Sequence, residues 1–239
     1  MTIVGYFCTG GYTEVGGIKY FLEKINANIQ WERCFPTALK PSPKFNRRVN
    51  VPCQEHSGVS GSNLITKMIE RIGHPYFEYD KRYDCILLID DLDCRFYKKD
   101  DEYIRAWIND IGKQVERALG REVGFETLFA SPEVEVWFVA DWMEGFGREY
   151  QKYDYMLRRV MDKIIKDHMG DIEKFGEPLE NGSCKYKISE IIQSDFNQYV
   201  RYSKNVNGGS MLKRIRPQEV EKMCRRYYAE AYWKLYAIK

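Results

Sequence analysis

The stretch Cys85-Ile86-Leu87-Leu88-Ile89 constrains the fold more than any other, because it is continuously apolar and runs straight into Asp90-Asp91-Leu92-Asp93. A strand that is apolar on both faces has to be covered on both faces, as a central strand of a parallel sheet is. The segments around it fit that setting. Ile3–Cys8 is a short apolar run ending in Thr9-Gly10-Gly11, which predicts a strand leaving into a tight turn. Val15, Ile18, Phe21, Leu22 and Ile25 then fall on one helical face, and Ile29–Phe35 offers a second strand. The stretch Pro36–Ser60 holds four prolines with Arg47 and Arg48, and reads as a long loop or insertion. Leu64, Ile65, Met68, Ile69 and Ile72 mark a helix with Ser60 or Ser62 as its N-cap. Ile104, Trp107, Ile108, Ile111, Val115 and Leu119 mark another, and Gly124–Ala130 a further strand. Strand and helix alternate throughout, which predicts an α/β fold with a mostly parallel sheet flanked by helices.

Past Asp141 the pattern changes. Leu157, Val160, Met161, Ile164 and Ile165 predict a long helix, and Ile188, Ile191 and Ile192 another. Asn205–Ser210 reads as a glycine-containing turn. A last helix is expected from Pro217, a residue suited to a first helical turn, stacking Val220, Met223, Tyr227, Ala231, Leu235 and Ile238. The expected division is an α/β domain over residues 1–145 and a helical region over 146–239 packed on it.

Charge and cysteine content narrow the setting. The 37 basic and 35 acidic side chains leave a net charge of only +2, which argues against a surface coated for non-specific nucleic-acid binding but leaves room for a local basic groove. No apolar run approaches the roughly 20 residues that span a bilayer, and Met1–Cys8 lacks the basic start of a signal peptide. The seven cysteines show no C-x-x-C spacing, so neither a disulfide framework nor a zinc knuckle is expected, and a reducing cytoplasm fits. His56, His74 and His168 are too scattered to suggest a histidine-rich metal site.

In parallel α/β sheets, ligands bind beyond the carboxyl ends of the strands. Three acidic groups fall there: Glu14 past the first strand; Asp90, Asp91 and Asp93 past the central one; and Glu133 and Glu135 past a later one. Carboxylates converging from separate strand ends suit Mg²⁺ or Mn²⁺, hard cations that take oxygen ligands, and such a site can activate water against a phosphodiester. Each residue also has an ordinary role. Aspartates after a strand cap helices or form Asx turns, and glutamates in a first helical turn are favoured by the helix dipole. Glu135 is harder to assign in this way, because it sits among Val134, Val136 and Trp137. Of the two glutamates, Glu135 is expected to face the site and Glu133 the solvent.

The order of these features resembles a Toprim domain, the metal-binding module of topoisomerases, primases and OLD-type nucleases. More closely, the chain is similar to a bacterial Toprim-like family called domain of unknown function 4276. The matching residues are Gly10-Gly11-Tyr12-Thr13-Glu14, Asp91-Leu92-Asp93, Pro132-Glu133-Val134-Glu135-Val136-Trp137 with Ala140-Asp141, and Tyr202-Ser203-Lys204 with Gly208-Gly209. They span nearly the whole chain in the family's order. The resemblance implies a metal-dependent phosphodiesterase or nuclease acting on DNA or RNA, in bacterial defence, often beside an ATPase of the ABC or AAA type. It implies Glu14, Asp91, Asp93, Glu135 and Lys204 as catalytic residues. Glu14, Asp91, Asp93 and Glu135 would be metal ligands, with Asp90 as an alternative in register. Lys204 would contact a phosphate or the transition state. One position departs from the pattern: Gly10 stands where the family carries its first glutamate. A catalytically degenerate scaffold, binding an ATPase or nucleic acid without cutting it, is the rival expectation. Oligomeric state is left open.

Overall fold

The structure is a computed structural model, described here for residues 1–36, 59–167, 170–174, 177–178, 184–185, 190 and 202–238. The loop expected over Pro36–Ser60, with Arg47 and Arg48, and the helix expected around Ile188–Ile192 lie almost wholly outside the described residues.

Four strands form the sheet: β1 (Ile3–Cys8), β2 (Gln30–Phe35), β3 (Cys85–Asp91) and β4 (Gly124–Ala130), in the order β2-β1-β3-β4 and all parallel. Successive side chains on a strand point to opposite faces, and the two cores separate accordingly. Val4, Tyr6 and Cys8 of β1 and Cys85, Leu87 and Ile89 of β3 face one core. Phe7, Ile86 and Leu88 face the other. The second core is closed by α2 (Gly61–Ile72) and α3 (Asp101–Leu119), through Leu64, Met68, Ile104, Ile111 and Val115. Asp100 caps α3 by accepting from the Tyr103 amide at 2.7 Å, and Gly120 ends the helix in the left-handed region at φ 68°.

The first core is closed by α1 (Tyr12–Ile25) and by the C-terminal helices: α4 (Glu135–Ala140), α5 (Asp154–Asp167), α6 (Gly209–Arg214), α7 (Pro217–Met223) and α8 (Ala229–Tyr236). The end of α1 ties down two of these. Lys24 Nζ donates to the carbonyls of Lys213, Arg214 and Ile215 at 2.6–3.0 Å, where α6 stops. Asn26 Nδ2 donates to those of Leu235, in the last turn of α8, and Ile238, just past it. Carbonyls at a helix C-terminus have no partner within the helix, so these side chains supply one.

Two local expectations change. The segment read as a turn over Asn205–Ser210 is helical, a wide turn over Lys204–Gly208 running directly into α6. The single last helix is broken at Cys224–Tyr228. There the Arg226 and Tyr227 amides donate to the buried Glu173 carboxylate at 2.7 and 3.2 Å, and the Tyr227 carbonyl accepts from the Phe129 amide of β4. These bonds to other parts of the chain replace the intrahelical ladder that the apolar periodicity predicted.

Of the cysteines, Cys8, Cys34, Cys85 and Cys224 are free and buried, whereas Cys94 is disulfide-bonded. Among the described residues no helix is long and apolar enough to cross a membrane.

Candidate functional site

The carboxyl edge of the sheet gathers side chains from three strand ends and one distant loop. Asp91 is the last residue of β3 and stands in register with Ala130 of β4. Its Oδ1 accepts from the Val134 amide at 2.9 Å, while the Leu92 and Asp93 amides donate to the Ala130 and Pro132 carbonyls, each at 2.8 Å. The ends of β3 and β4 are thus stitched together. Continuing past Val134, the chain enters α4 with Glu135 in its first turn, fully buried.

Glu135 is held from below by Tyr202, whose hydroxyl donates to Oε1 at 2.7 Å. Lys204 Nζ lies 3.3 Å from Glu135 Oε2 and donates to Asp91 Oδ2 at 3.2 Å. The 3.3 Å approach is an ion pair without hydrogen-bond geometry, for Oε2 has no hydrogen-bond partner. The backbone that presents Lys204 is fixed by Thr13 Oγ1, which donates to the Lys204 carbonyl at 3.0 Å. A side chain on Gly208 would strike Thr13, so only glycine allows this approach of the 204–208 turn to α1.

Glu14, in the first turn of α1, is buried and near enough to Asp91, Lys204 and Glu135 to interact with them electrostatically. Burial raises its carboxyl to about pKa 7; Asp91 and Glu135 add to the rise, and Lys204 works against it. Its Oε2 also has no hydrogen-bond partner. Gly11 makes room for the fold-back, since a Cβ there would run into the Glu14 carboxylate. Burial by itself would lower the Lys204 ammonium, but Asp91, Glu135, Glu14 and Glu133 together hold it above the ordinary lysine range.

The structure therefore brings together Glu14, Asp91, Glu135 and Lys204. Asp90 points elsewhere, because it continues the Ile86–Leu88 face of β3 while Asp91 continues the Leu87–Ile89 face. Asp90 Oδ2 accepts from the Gly61 amide at 2.8 Å at the start of α2 and lies 3.9 Å from Arg95 Nη2. It caps α2 in place of the Ser60 side chain, which makes no capping bond. Asp93 occupies a left-handed turn position at φ 48°, and its amide donates to the Pro132 carbonyl at 2.8 Å. Glu133, expected to face solvent, is buried at 4 % exposure and acts on Lys204 and Tyr202; the link from β4 to α4 turns it inward. Tyr202 entered the sequence reading only as part of a motif. Its role as the partner of Glu135, 67 residues away, has no signal in local periodicity.

Several basic residues that could line a local groove have local partners. Arg216 forms a two-pronged pair with the buried Asp141 at 2.7 and 3.0 Å, Arg214 pairs with Glu149, and Arg226 with Asp101 at 3.0 Å. Lys98, Lys99 and Arg158 lie over the rings of Tyr97, Tyr103 and Trp142.

The donor set suits a hard divalent cation: all its ligand atoms would be carboxylate oxygens, and the buried Glu14 Oε2 and Glu135 Oε2 lack hydrogen-bond partners. As they stand, no three carboxylates among the described residues are close enough to share one ion. Lys204 lies between two of them. Comparison of the chain with protein families, with curated proteins and with solved structures finds no match in any of the three.

Proposed function

We propose that the chain is a metal-dependent phosphodiesterase or nuclease of Toprim type, acting on DNA or RNA in bacterial defence. The observation that carries this reading is the convergence of Glu14, Asp91 and Glu135 on one ammonium at the carboxyl edge of a parallel sheet, with two buried carboxylate oxygens lacking hydrogen-bond partners. Asp91, Glu135 and Glu14 would hold Mg²⁺ or Mn²⁺ only once drawn closer together than they stand without it, and the ion would supply charge stabilisation and a more acidic water. Tyr202 orients Glu135. Asp91, at the open side of the cluster with an 18 % exposed side chain, is the carboxylate nearest a substrate. Glu14, at the start of the helix that follows the strand-one turn, would either complete the ligand set or handle the proton as a general acid or base. In this role it takes the place of the glutamate that Gly10 lacks.

The test is incubation of the purified protein with plasmid, single-stranded DNA and tRNA, in Mg²⁺, Mn²⁺ or EDTA. The expected result is cleavage that requires the metal, is lost in Asp91→Asn, and falls by about 10²–10⁴ in Glu14→Gln. A Glu14→Gln protein that cuts as fast as wild type overturns the role of Glu14.

The second reading is a degenerate Toprim scaffold that binds an ATPase of the ABC or AAA type, or nucleic acid, without cutting. It is favoured by Gly10 and by the lysine lodged between Asp91 and Glu135. It predicts no cleavage in any metal, and weak activity in Gly10→Glu.

A further inference from the structure

A divalent cation bound by these carboxylates would meet a cation that is already there. Lys204 Nζ stands 3.2 Å from Asp91 Oδ2 and 3.3 Å from Glu135 Oε2, and its charge acts on Glu14 as well. Its backbone is pinned by Thr13 and by the close approach at Gly208. Its side chain is not enclosed: a third of it is exposed, beside the partly open Asp91. An ammonium brings one unit of charge and three donors to a cluster of three carboxylates, and Glu14 Oε2 and Glu135 Oε2 stay without hydrogen bonds. Two like charges a few ångströms apart in a half-buried site repel strongly.

Resting on the metal-centre reading above, we infer that Lys204 is a tethered, displaceable counter-ion. It holds Asp91 and Glu135 together in the metal-free protein, and a divalent cation enters only by driving the ammonium out. The alternative role for such a lysine, positioning the ligands so that metal binds better, predicts the opposite response to its removal.

Mn²⁺ titration by calorimetry of wild type, Lys204→Met and Lys204→Arg separates the two. Lys204→Met should lower the melting temperature without metal but bind Mn²⁺ about tenfold or more tighter, as expected on removing a neighbouring like charge. Lys204→Arg keeps the charge and should bind no tighter than wild type. Equal or weaker binding by Lys204→Met overturns the inference and leaves the metal reading standing. No Mn²⁺ binding by any of the three overturns both. A measurement on the unaltered chain covers the case in which Lys204→Met does not fold. With ¹⁵N-labelled lysine, the Lys204 ammonium resonance should move toward those of solvent-exposed lysines as Mg²⁺ saturates the site, and a resonance that stays in place overturns the inference.

Discussion

Tyr202 shows how much one hydroxyl can carry. It is buried, and its donation to Glu135 Oε1 at 2.7 Å is the hydrogen bond that satisfies that side of a fully buried carboxylate. Tyr202→Phe keeps the ring against Phe146 but leaves a buried acceptor unpaired, which costs about 1–3 kcal/mol. Denaturant unfolding should register that loss, and an unchanged midpoint would show that Glu135 finds another donor. Glu173 is a second residue whose environment sets its behaviour. Burial raises its carboxyl to about pKa 7, against the lowering effect of the Arg226 and Tyr227 amides. A carboxyl raised on folding favours the folded state fully below the unfolded value of about 4.5 and loses that contribution as pH rises through about 7. Glu173→Gln should therefore shrink the fall in melting temperature between pH 5 and pH 8, by about 3 °C or more for a chain of this size. An identical pH profile in the variant would place the titration elsewhere.

At the level of elements, the contact between α1 and α6 depends on which glycine faces which way. A Cβ on Gly17 would lie 2.6 Å from the Gly209 carbonyl oxygen and 2.7 Å from Leu212 Cβ, whereas on Gly16 it would meet nothing closer than Gly209 Cα at 3.6 Å. Gly17→Ala should therefore cost about 1–3 kcal/mol through overpacking. Gly16→Ala, on the exposed side of the same helix, should be neutral or gain about 0.5–1 kcal/mol from the better helix former. Thermal unfolding of the pair checks it, and equal effects would refute the close packing. Sequence made the strands and the long helices legible because their cores follow simple periods. The same period of two separates Asp90 from Asp91, so the facing of that pair was in principle readable once β3 was extended through both. The break at Cys224–Tyr228 was not readable. It is made by Glu173 and Phe129, whose distance along the chain leaves no local trace.

For the molecule as a whole, the candidate site was legible in its chemistry but not in its wiring. Glu14, Asp91, Glu135 and Lys204 could be picked out as residue types at strand ends and in motifs. That a lysine from the far end of the chain sits between two of the acids, and that Glu133 is buried, depends on how the C-terminal helices pack over the sheet. Asp141 is the clearest structural tie in that packing: it accepts from the Arg216 amide at 2.7 Å as well as from its guanidinium. Asp141→Ala leaves those donors and the entry to α7 without their acceptor, and losing hydrogen bonds to a buried charged group whose partner is partly exposed typically costs about 1.5–3 kcal/mol. Circular dichroism melts should show the loss, and a variant melting within a degree of wild type would mean that this clasp is incidental.

The seam between Phe129 and Tyr227 has a consequence for how the protein behaves among its own copies. β4 lies at one margin of the sheet, and a margin strand offers free amides and carbonyls to any passing strand. Here the Phe129 amide is already engaged by the Tyr227 carbonyl, and Lys234 of α8 reaches down to Glu126 on the same strand. The C-terminal helices thus act as a selvedge along β4, the last of the four strands among the described residues, engaging its Phe129 amide where another chain's strand would otherwise pair.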